Sequence, residues 1–319
     1  MDSYTAPAGY EEARASAAFF PITDGGRFRL IGPDGQDFLN RMVSNEVKAL
    51  PPGHGVYATM LDVNGRMIAD LWAWVLDADN ILVETAASAK SALMEALDKY
   101  LIMEEVEIRD ASDTLGLISV QGPGAPEAVA KALGTDVPAL APGTVWESAA
   151  GSEDVIVAAR DRTGRVGLDV YVPADRVPDV RKALSEAGAA EGSADALETL
   201  RVEAGIPKWG AELSETVIPL EANLGGVAIS FTTGCYPGQE IIARIHSRGK
   251  PARHLVSLSF PDGPPPPGTE LRRDGKAVGV VTSAVVSPRL GGLALGYLKK
   301  ENDEPGTEVE GGGVNGVVK

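Results

Sequence analysis

The residue types able to do chemistry are concentrated in one stretch of the chain. Thr233-Gly234-Cys235-Tyr236-Pro237-Gly238-Gln239-Glu240 runs directly into IIARIHSRGKPARH. This stretch holds the single cysteine, Cys235, and four cations, Arg244, Arg248, Lys250 and Arg253. It also holds His246 and His254, and no acidic residue falls between Glu240 and Asp262. A helix through IIARIHS, with Pro237 in its first turn, would place the thiol near a helix N-terminus. Cations would then stand one or two turns away. Both features favour a thiolate, although Glu240 opposes them from the same turn. The same arrangement favours an anionic ligand. The competing readings are a lone cysteine packed as a small hydrophobe and a solvated basic linker.

A second candidate is Asp70, inside the segment MIADLWAWVL. Strand alternation sets Ile68, Asp70 and Trp72 on one face, so a carboxylate shares its surface with large apolar groups. A buried carboxylate needs partners or titrates abnormally, and abnormal titration accompanies functional sites. The competing reading is an Asp on an edge strand or facing a turn.

Other chemistries are excluded or unsupported. One cysteine cannot form an internal disulfide, nor hold zinc or an iron–sulfur cluster alone, and no metal site is expected. GPGAPEAV near residue 122 lacks the spacing of either nucleotide-binding glycine loop, and HExxH, GxSxG and EF-hand spacings are absent. His54 sits alone in a predicted loop. The net charge of −16 repels phosphate backbones, so direct nucleic-acid binding is disfavoured outside the 244–254 stretch. Residues 1–20 carry no basic region ahead of an apolar one, and no run approaches 18 apolar residues. Neither a signal peptide nor a membrane span is expected, and the cytoplasm is the expected compartment.

The elements that must position these residues follow from periodicity. At 319 residues the chain suits two or three domains of about 100–200 residues each. Residues 10–20 suggest a short helix and 26–32 a strand. Asp34 is placed to cap a helix in which Phe38, Leu39 and Met42 share a face. GVYATMLD and RMIADLWAWVL flank Val63-Asn64-Gly65, a strong hairpin signal. ILVETA follows, then a helix with Leu93, Leu97 and Leu101 on one stripe. VEIRD, LGLISVQ and the helix APEAVAKALG come next. Strands near 154–160 and 166–173 and the helix ADRVPDVRKALSEAG repeat the pattern, giving two α+β units. A helix over 194–204 precedes an irregular stretch to 233. Beyond the Pro/Gly break PDGPPPPG, short strands suggest a C-terminal β-barrel with a loose final segment, GGGVNGVVK.

The segment TGCYPGQEIIAR at 233–244 closely resembles the Cys signature of the YgfZ-type folate-binding proteins, relatives of the glycine-cleavage T-protein, an aminomethyltransferase. LIGPDGQDFLNRMVSNEV, MLDVNGRMIADL, ALETLRVEAGIPKWGAEL, IPLEANL and AVGVVTSAVVSP are similar to further stretches of that family, so the resemblance spans essentially the whole chain. It implies an α+β, three-domain aminomethyltransferase-like ring around a folate cavity, with two α+β (ferredoxin-like) units and a C-terminal β-barrel. The first unit would comprise 1–115 with 200–248, the second 116–199, and the barrel 249–319. Asp70 matches the carboxylate that contacts folate in the transferases. Cys235 and Asp70 become the catalytic candidates. Asp70, Gln239, Glu240, Arg244, Arg248 and Lys250 become the candidates for binding tetrahydrofolate.

Two departures accompany the resemblance. Thr233 replaces the signature lysine, and Leu168 stands where the transferases' RTGYTGEDG stretch has a glutamate assigned to substrate contact. The second departure argues against ordinary aminomethyl transfer. The resemblance therefore implies a tetrahydrofolate-binding accessory protein of iron–sulfur cluster assembly or repair, without turnover of its own. It would act with iron–sulfur client or assembly proteins and affect tRNA modification through iron–sulfur enzymes. The alternative is a folate-dependent aminomethyltransferase-like one-carbon transferase. A third reading is a non-catalytic scaffold.

Overall fold

The computed structural model describes residues 5–148, 155–232, 234–249 and 251–319. Thr233 and Lys250 lie outside the described residues, as does the Arg248 side chain. The chain starts with α1 (Tyr10–Ala15) and β1 (Ala18–Pro21). Next come β2 (Gly25–Ile31), α2 (Gly35–Met42), β3 (His54–Leu61), β4 (Met67–Asp77) and β5 (Asn80–Ala86). α3 (Ala87–Asp98) and β6 (Glu107–Asp110) follow. Five of these strands form one antiparallel sheet in the order β3-β4-β5-β2-β6. Its period-two pattern puts Phe28, Leu30, Leu71, Ala73, Val75, Ile81 and Val83 against Phe38, Leu39, Leu93 and Leu97 of the two helices.

The second unit contains β7 (Leu115–Gln121), α4 (Ala125–Leu133), β8 (Val145–Glu147), β9 (Ile156–Ala159), β10 (Gly167–Pro173), α5 (Val177–Glu186) and β11 (Ala190–Glu191). Its sheet runs β11-β1-β7-β10-β9-β8, with α4 and α5 covering one face. Strand β1 thus joins the second sheet although it precedes the first. The helix expected over 10–20 stops at Ala15, because Phe19 and Phe20 bury on opposite faces of that sheet.

α6 (Ala194–Glu203) and α7 (Gln239–Arg248) lie between this unit and the barrel. β12 (Arg253–Phe260), β13 (Glu270–Arg273), β14 (Lys276–Ser287), β15 (Gly291–Lys299), β16 (Glu308–Gly311) and β17 (Val314–Val318) close into a six-stranded barrel. The segment expected to be loose is β17. It pairs with β12 and β16, and Val318 turns inward into the barrel core. The structure is the expected α+β arrangement, two α+β units and a barrel. Among the described residues, no helix is long and apolar enough to cross a membrane.

Two other local expectations change. α3 ends at Asp98, and Leu101 reaches the core from the following turn, where its N–H bonds the Asp98 carbonyl. Asp34 makes no side-chain cap to α2, and its Oδ2 instead accepts from the Glu105 N–H at 2.9 Å.

The three units meet pairwise. The uncovered faces of the two sheets enclose Trp74, Leu82, Leu117, Ile156, Ala158 and Tyr171. The β3–β4 hairpin and the irregular 205–236 segment bury Leu61, Met67, Leu213 and Tyr236 with the barrel residues Leu255, Leu295 and Tyr297. Helix α6 joins the barrel to the second sheet: Ala196 and Leu200 pack on Ala18 and Phe20 of β1, Glu203 accepts from Tyr10 and Arg14 of α1 and from Ser287, and Arg201 donates to Glu212 and Ser283.

One close approach sets the position of the Cys235 segment. Gly238 caps α7 at φ 78°, and a Cβ there would lie 2.5 Å from the Asp62 carbonyl oxygen in the β3–β4 turn. Only glycine accepts both that conformation and that contact. Gly238→Ala is expected to cost about 1–3 kcal/mol in denaturant unfolding. An unchanged midpoint would show that the turn and helix are not in this contact.

Candidate active site

Asp70 is not on an edge. Strand β4 runs between β3 and β5, and Asp70 faces the second sheet. One row crosses this face: Tyr57 on β3 is opposite Trp72 on β4, and Trp72 is opposite Glu84 on β5. Asp70 sits two residues from Trp72, hence on the same face. The Tyr57 hydroxyl donates to Asp70 Oδ2 at 2.8 Å. Asp70 Oδ1 is buried and, among the described residues, has no hydrogen-bond partner. Tyr57 and Trp72 have centroids 5.7 Å apart, and Trp72 stacks on Trp74 at 4.6 Å. Tyr57, Asp70 and Trp72 each keep partial exposure, so this wall is reached from solvent.

The opposing sheet supplies a charged network. Glu84 Oε1 lies 2.6 Å from Arg160 Nη1 and accepts from Arg162 Nη2 at 2.8 Å, while Glu84 Oε2 accepts from the Tyr171 hydroxyl at 2.5 Å. Arg162 also grips both oxygens of Asp169, at 2.7 and 3.0 Å. Asp169 is fully buried and Glu84 is 4% exposed. The Arg160 guanidinium lies 5.7 Å from the Trp72 ring centroid. Burial alone would push the Glu84 carboxyl up, but Arg160 and Arg162 hold it well below the usual carboxylate range.

Asp70 behaves oppositely. Burial raises its pKa, and the Tyr57 hydroxyl and Arg160 only partly offset this, with Glu84 adding to the rise. Burial and the Asp70 charge raise Tyr57 well above the ordinary phenol value. The result is a carboxylate with one oxygen fixed by Tyr57 and one free to accept from an N–H or ammonium group. Its raised pKa lets it hold a proton closer to neutrality than an ordinary Asp.

The structure does not gather the other expected residues into this row. Cys235 is exposed, which removes the reading of a packed hydrophobe, and it precedes α7 by four residues. Pro237 lies ahead of the Gly238 cap, outside the helix. Gln239 opens α7, and Glu240 and Arg244 are exposed on it. This segment rests on the β3–β4 turn through Gly65 and Ile241. Five residues of strand, about 17 Å, separate Gly65 from Asp70. The cationic stretch also divides: Arg253 pairs with Glu221 at 3.0 Å over the Tyr297 ring, and His254 pairs with Asp303 at 2.5 Å, both on the barrel. Leu168 packs in the helix-covered core of the second unit, on the side of β10 opposite Asp169. A side chain at 168 points away from the Asp70 wall, so its identity does not decide the chemistry there.

Sequence reasoning missed Tyr57, Glu84, Arg160, Arg162, Asp169 and Tyr171. Glu84 in ILVETA and Asp169 in GLDVYV carried the signal that singled out Asp70, a charge within an apolar strand. Arg160 and Arg162 stand at the start of the β9–β10 turn, with Asp161 between them.

The GCVT N-terminal domain matches residues 4–232, and the glycine cleavage T-protein C-terminal barrel domain matches 253–315. The chain belongs to the glycine-cleavage T-protein family. It is 30% identical over 309 residues to an aminomethyltransferase of Bacillus subtilis, covering 94% of this chain and 84% of that one. It is 31% identical over 314 residues to an aminomethyltransferase of Symbiobacterium thermophilum, covering 94% and 83%. The crystal structure of the glycine cleavage system aminomethyltransferase T from Bartonella henselae superposes with a TM-score of 0.89 at 23% identity, covering 97% of this chain and 87% of that one. That likeness establishes the shared T-protein fold.

The Asp70 environment gives a stability prediction with a defined sign. A carboxyl whose pKa is raised by folding favours the native state below its unfolded pKa. That contribution is lost as pH rises through the folded pKa. At neutral pH ionised Asp70 therefore costs stability. Asp70→Asn is expected to raise the thermal midpoint at pH 7, with the gain vanishing below about pH 4, the ordinary carboxylate value. A lowered midpoint at pH 7 would contradict the environment described.

Proposed function

We propose that this chain binds tetrahydrofolate at Asp70 and belongs functionally with the folate-dependent one-carbon transferases of the aminomethyl type. The observation that carries the proposal is the buried, unpartnered Oδ1 of Asp70 beside the partly exposed Tyr57–Trp72 wall. A reduced pterin is planar and edged with N–H groups, so an aromatic wall and an unpaired carboxylate oxygen suit it. The names of the relatives support the same reading. When bound, tetrahydrofolate supplies nitrogens that accept a one-carbon unit.

The chain's own residues have separable tasks. Tyr57 fixes Asp70 Oδ2 and so directs Oδ1. Asp70 accepts from an N–H or a protonated amine and, with its raised pKa, can take that proton. Trp72, stacked on Trp74 and covered by Arg160, stiffens the wall beside Tyr57 and Asp70, and the Glu84–Arg162–Asp169 contact closes the two sheets behind it.

A second reading, the YgfZ-type accessory role toward iron–sulfur proteins, is favoured by a different observation. The exposed thiol of Cys235 lies beside the turn of the hairpin that carries Asp70. In that reading Cys235 acts on a partner while the Asp70 site holds folate. One thiol cannot hold a cluster, so the partner is a necessary part of it.

Thermal unfolding with tetrahydrofolate tests the shared claim. Binding should raise the midpoint by mass action, about 2.7 kcal/mol at one hundred times Kd. No shift at millimolar ligand would overturn both readings. Methylene-tetrahydrofolate formed from an aminomethyl-lipoyl donor, reduced about a hundredfold or more by Asp70→Asn, would establish transfer. Folate binding without turnover would leave the accessory role. In that case Cys235→Ala should keep the thermal shift yet lower iron–sulfur enzyme activity in cells, and unaffected enzymes would refute it.

A further inference from the structure

Arg160 and Arg162 both reach Glu84 across the inter-sheet layer, and they are not equivalent. Arg162 hydrogen-bonds both buried acids, with Nε and Nη2 on Asp169 and Nη2 on Glu84. Arg160 lies within 2.6 Å of Glu84 and 3.6 Å of Asp169. Its buried Nη1 makes that contact as an ion pair and, among the described residues, has no aligned hydrogen-bond acceptor. Its guanidinium also covers the Trp72 ring at 5.7 Å, and its side chain keeps 17% exposure, close to the wall that holds Asp70. Arg160 thus completes the charge balance of the two buried acids and also reaches the aromatic wall, a second task that Arg162 does not share.

We infer that Arg160 is a positioning residue of the Asp70 site: it holds the Trp72–Tyr57 wall in place and balances the charge of Asp70. The inference rests on reading Asp70 as the ligand-binding group. A chain of contacts supports it. Glu84 anchors Arg160, Arg160 covers Trp72, Trp72 packs on Tyr57, and Tyr57 donates to Asp70. Guanidinium over indole is the strongest common cation–π pairing, and it fixes a ring more firmly than dispersion alone. The groups bearing on Asp70 are Tyr57 from β3, Glu84 from β5 and Arg160 from the turn after β9. Of these, Arg160 alone is cationic. Glu84 opposes ionisation of Asp70, while Arg160 and the Tyr57 hydrogen bond favour it. Arg160 therefore links second-unit docking to the protonation of a first-unit carboxyl.

The test titrates ligand-free protein by tryptophan fluorescence, since Trp72 lies two residues from Asp70. The Asp70 transition is the one that Asp70→Asn removes. In Arg160→Met this midpoint should move to higher pH, and in Arg160→Lys it should stay near the wild-type value. Tetrahydrofolate affinity at pH 8 should fall about tenfold in Arg160→Met. An unmoved midpoint and unchanged affinity, with only a lowered melting temperature, would make Arg160 purely structural and overturn the assignment. Should Arg160→Met not fold, Arg160→Lys decides alone, because it keeps the charge but loses the planar group over Trp72. Weakened binding with an unmoved midpoint then supports the assignment, and binding equal to wild type, or a moved midpoint, overturns it. A wild type that binds no tetrahydrofolate would refute the folate reading separately, and the titration would still decide the role of Arg160.

Discussion

Glu84 is the residue on which the inter-sheet layer turns. It is buried, ionised and engaged by Arg160, Arg162 and Tyr171, all from the second unit. Removing one partner from such a network leaves a buried charge uncompensated, at a cost of about 3–5 kcal/mol. The network is satisfied only when the two sheets face each other in this register. Apolar contact among Trp74, Leu82, Leu117 and Ile156 would tolerate sliding, whereas the Arg162–Asp169–Glu84 geometry does not. The same register brings the turn after β9 over Trp72 and so completes the wall beside Asp70.

Within this frame Asp70 is the exception. Every other acid in the layer has a cation against it, and Asp70 has a phenol on one oxygen and nothing on the other. A fold that satisfies Glu84 and Asp169 so fully and leaves Asp70 Oδ1 bare places its unsatisfied group at a partly exposed aromatic surface. Local destabilisation of this kind is the usual cost of a binding group. The Cys235 segment belongs to the same hairpin but to its far end. Gly238 and Ile241 seat against the β3–β4 turn, so the thiol and the carboxylate are joined through one rigid ribbon rather than through direct contact.

Much of this was legible in the residues themselves. The Val63-Asn64-Gly65 turn, the alternation of MIADLWAWVL and the Phe38–Leu39–Met42 face each declared their element through local periodicity. Asp70 was visible as a charge within an apolar strand. What periodicity could not reveal was long-range pairing. Phe19 and Phe20 form a strand only because β7 and β11 lie on either side, and Val314–Val318 becomes ordered only by closing the barrel onto β12. The partners of Asp70 were hidden for the same reason. Tyr57 is thirteen residues away and Arg160 ninety, and nothing local records that two sheets will meet. The emphasis on Leu168 failed because strand alternation turns that position toward α4 and α5. The basic stretch looked continuous in sequence, but Arg253 and His254 take Glu221 and Asp303 as partners from elsewhere in the chain.

The central claim is that ligand is held between the sheets at Asp70 and not at the Cys235 turn. Quenching of tryptophan fluorescence by tetrahydrofolate measures this directly, because partly exposed Trp72 stands beside Asp70 and stacks on buried Trp74. The account predicts saturable quenching that survives Cys235→Ala and is abolished by Asp70→Asn. Quenching that persists in Asp70→Asn and disappears in Cys235→Ala would contradict it.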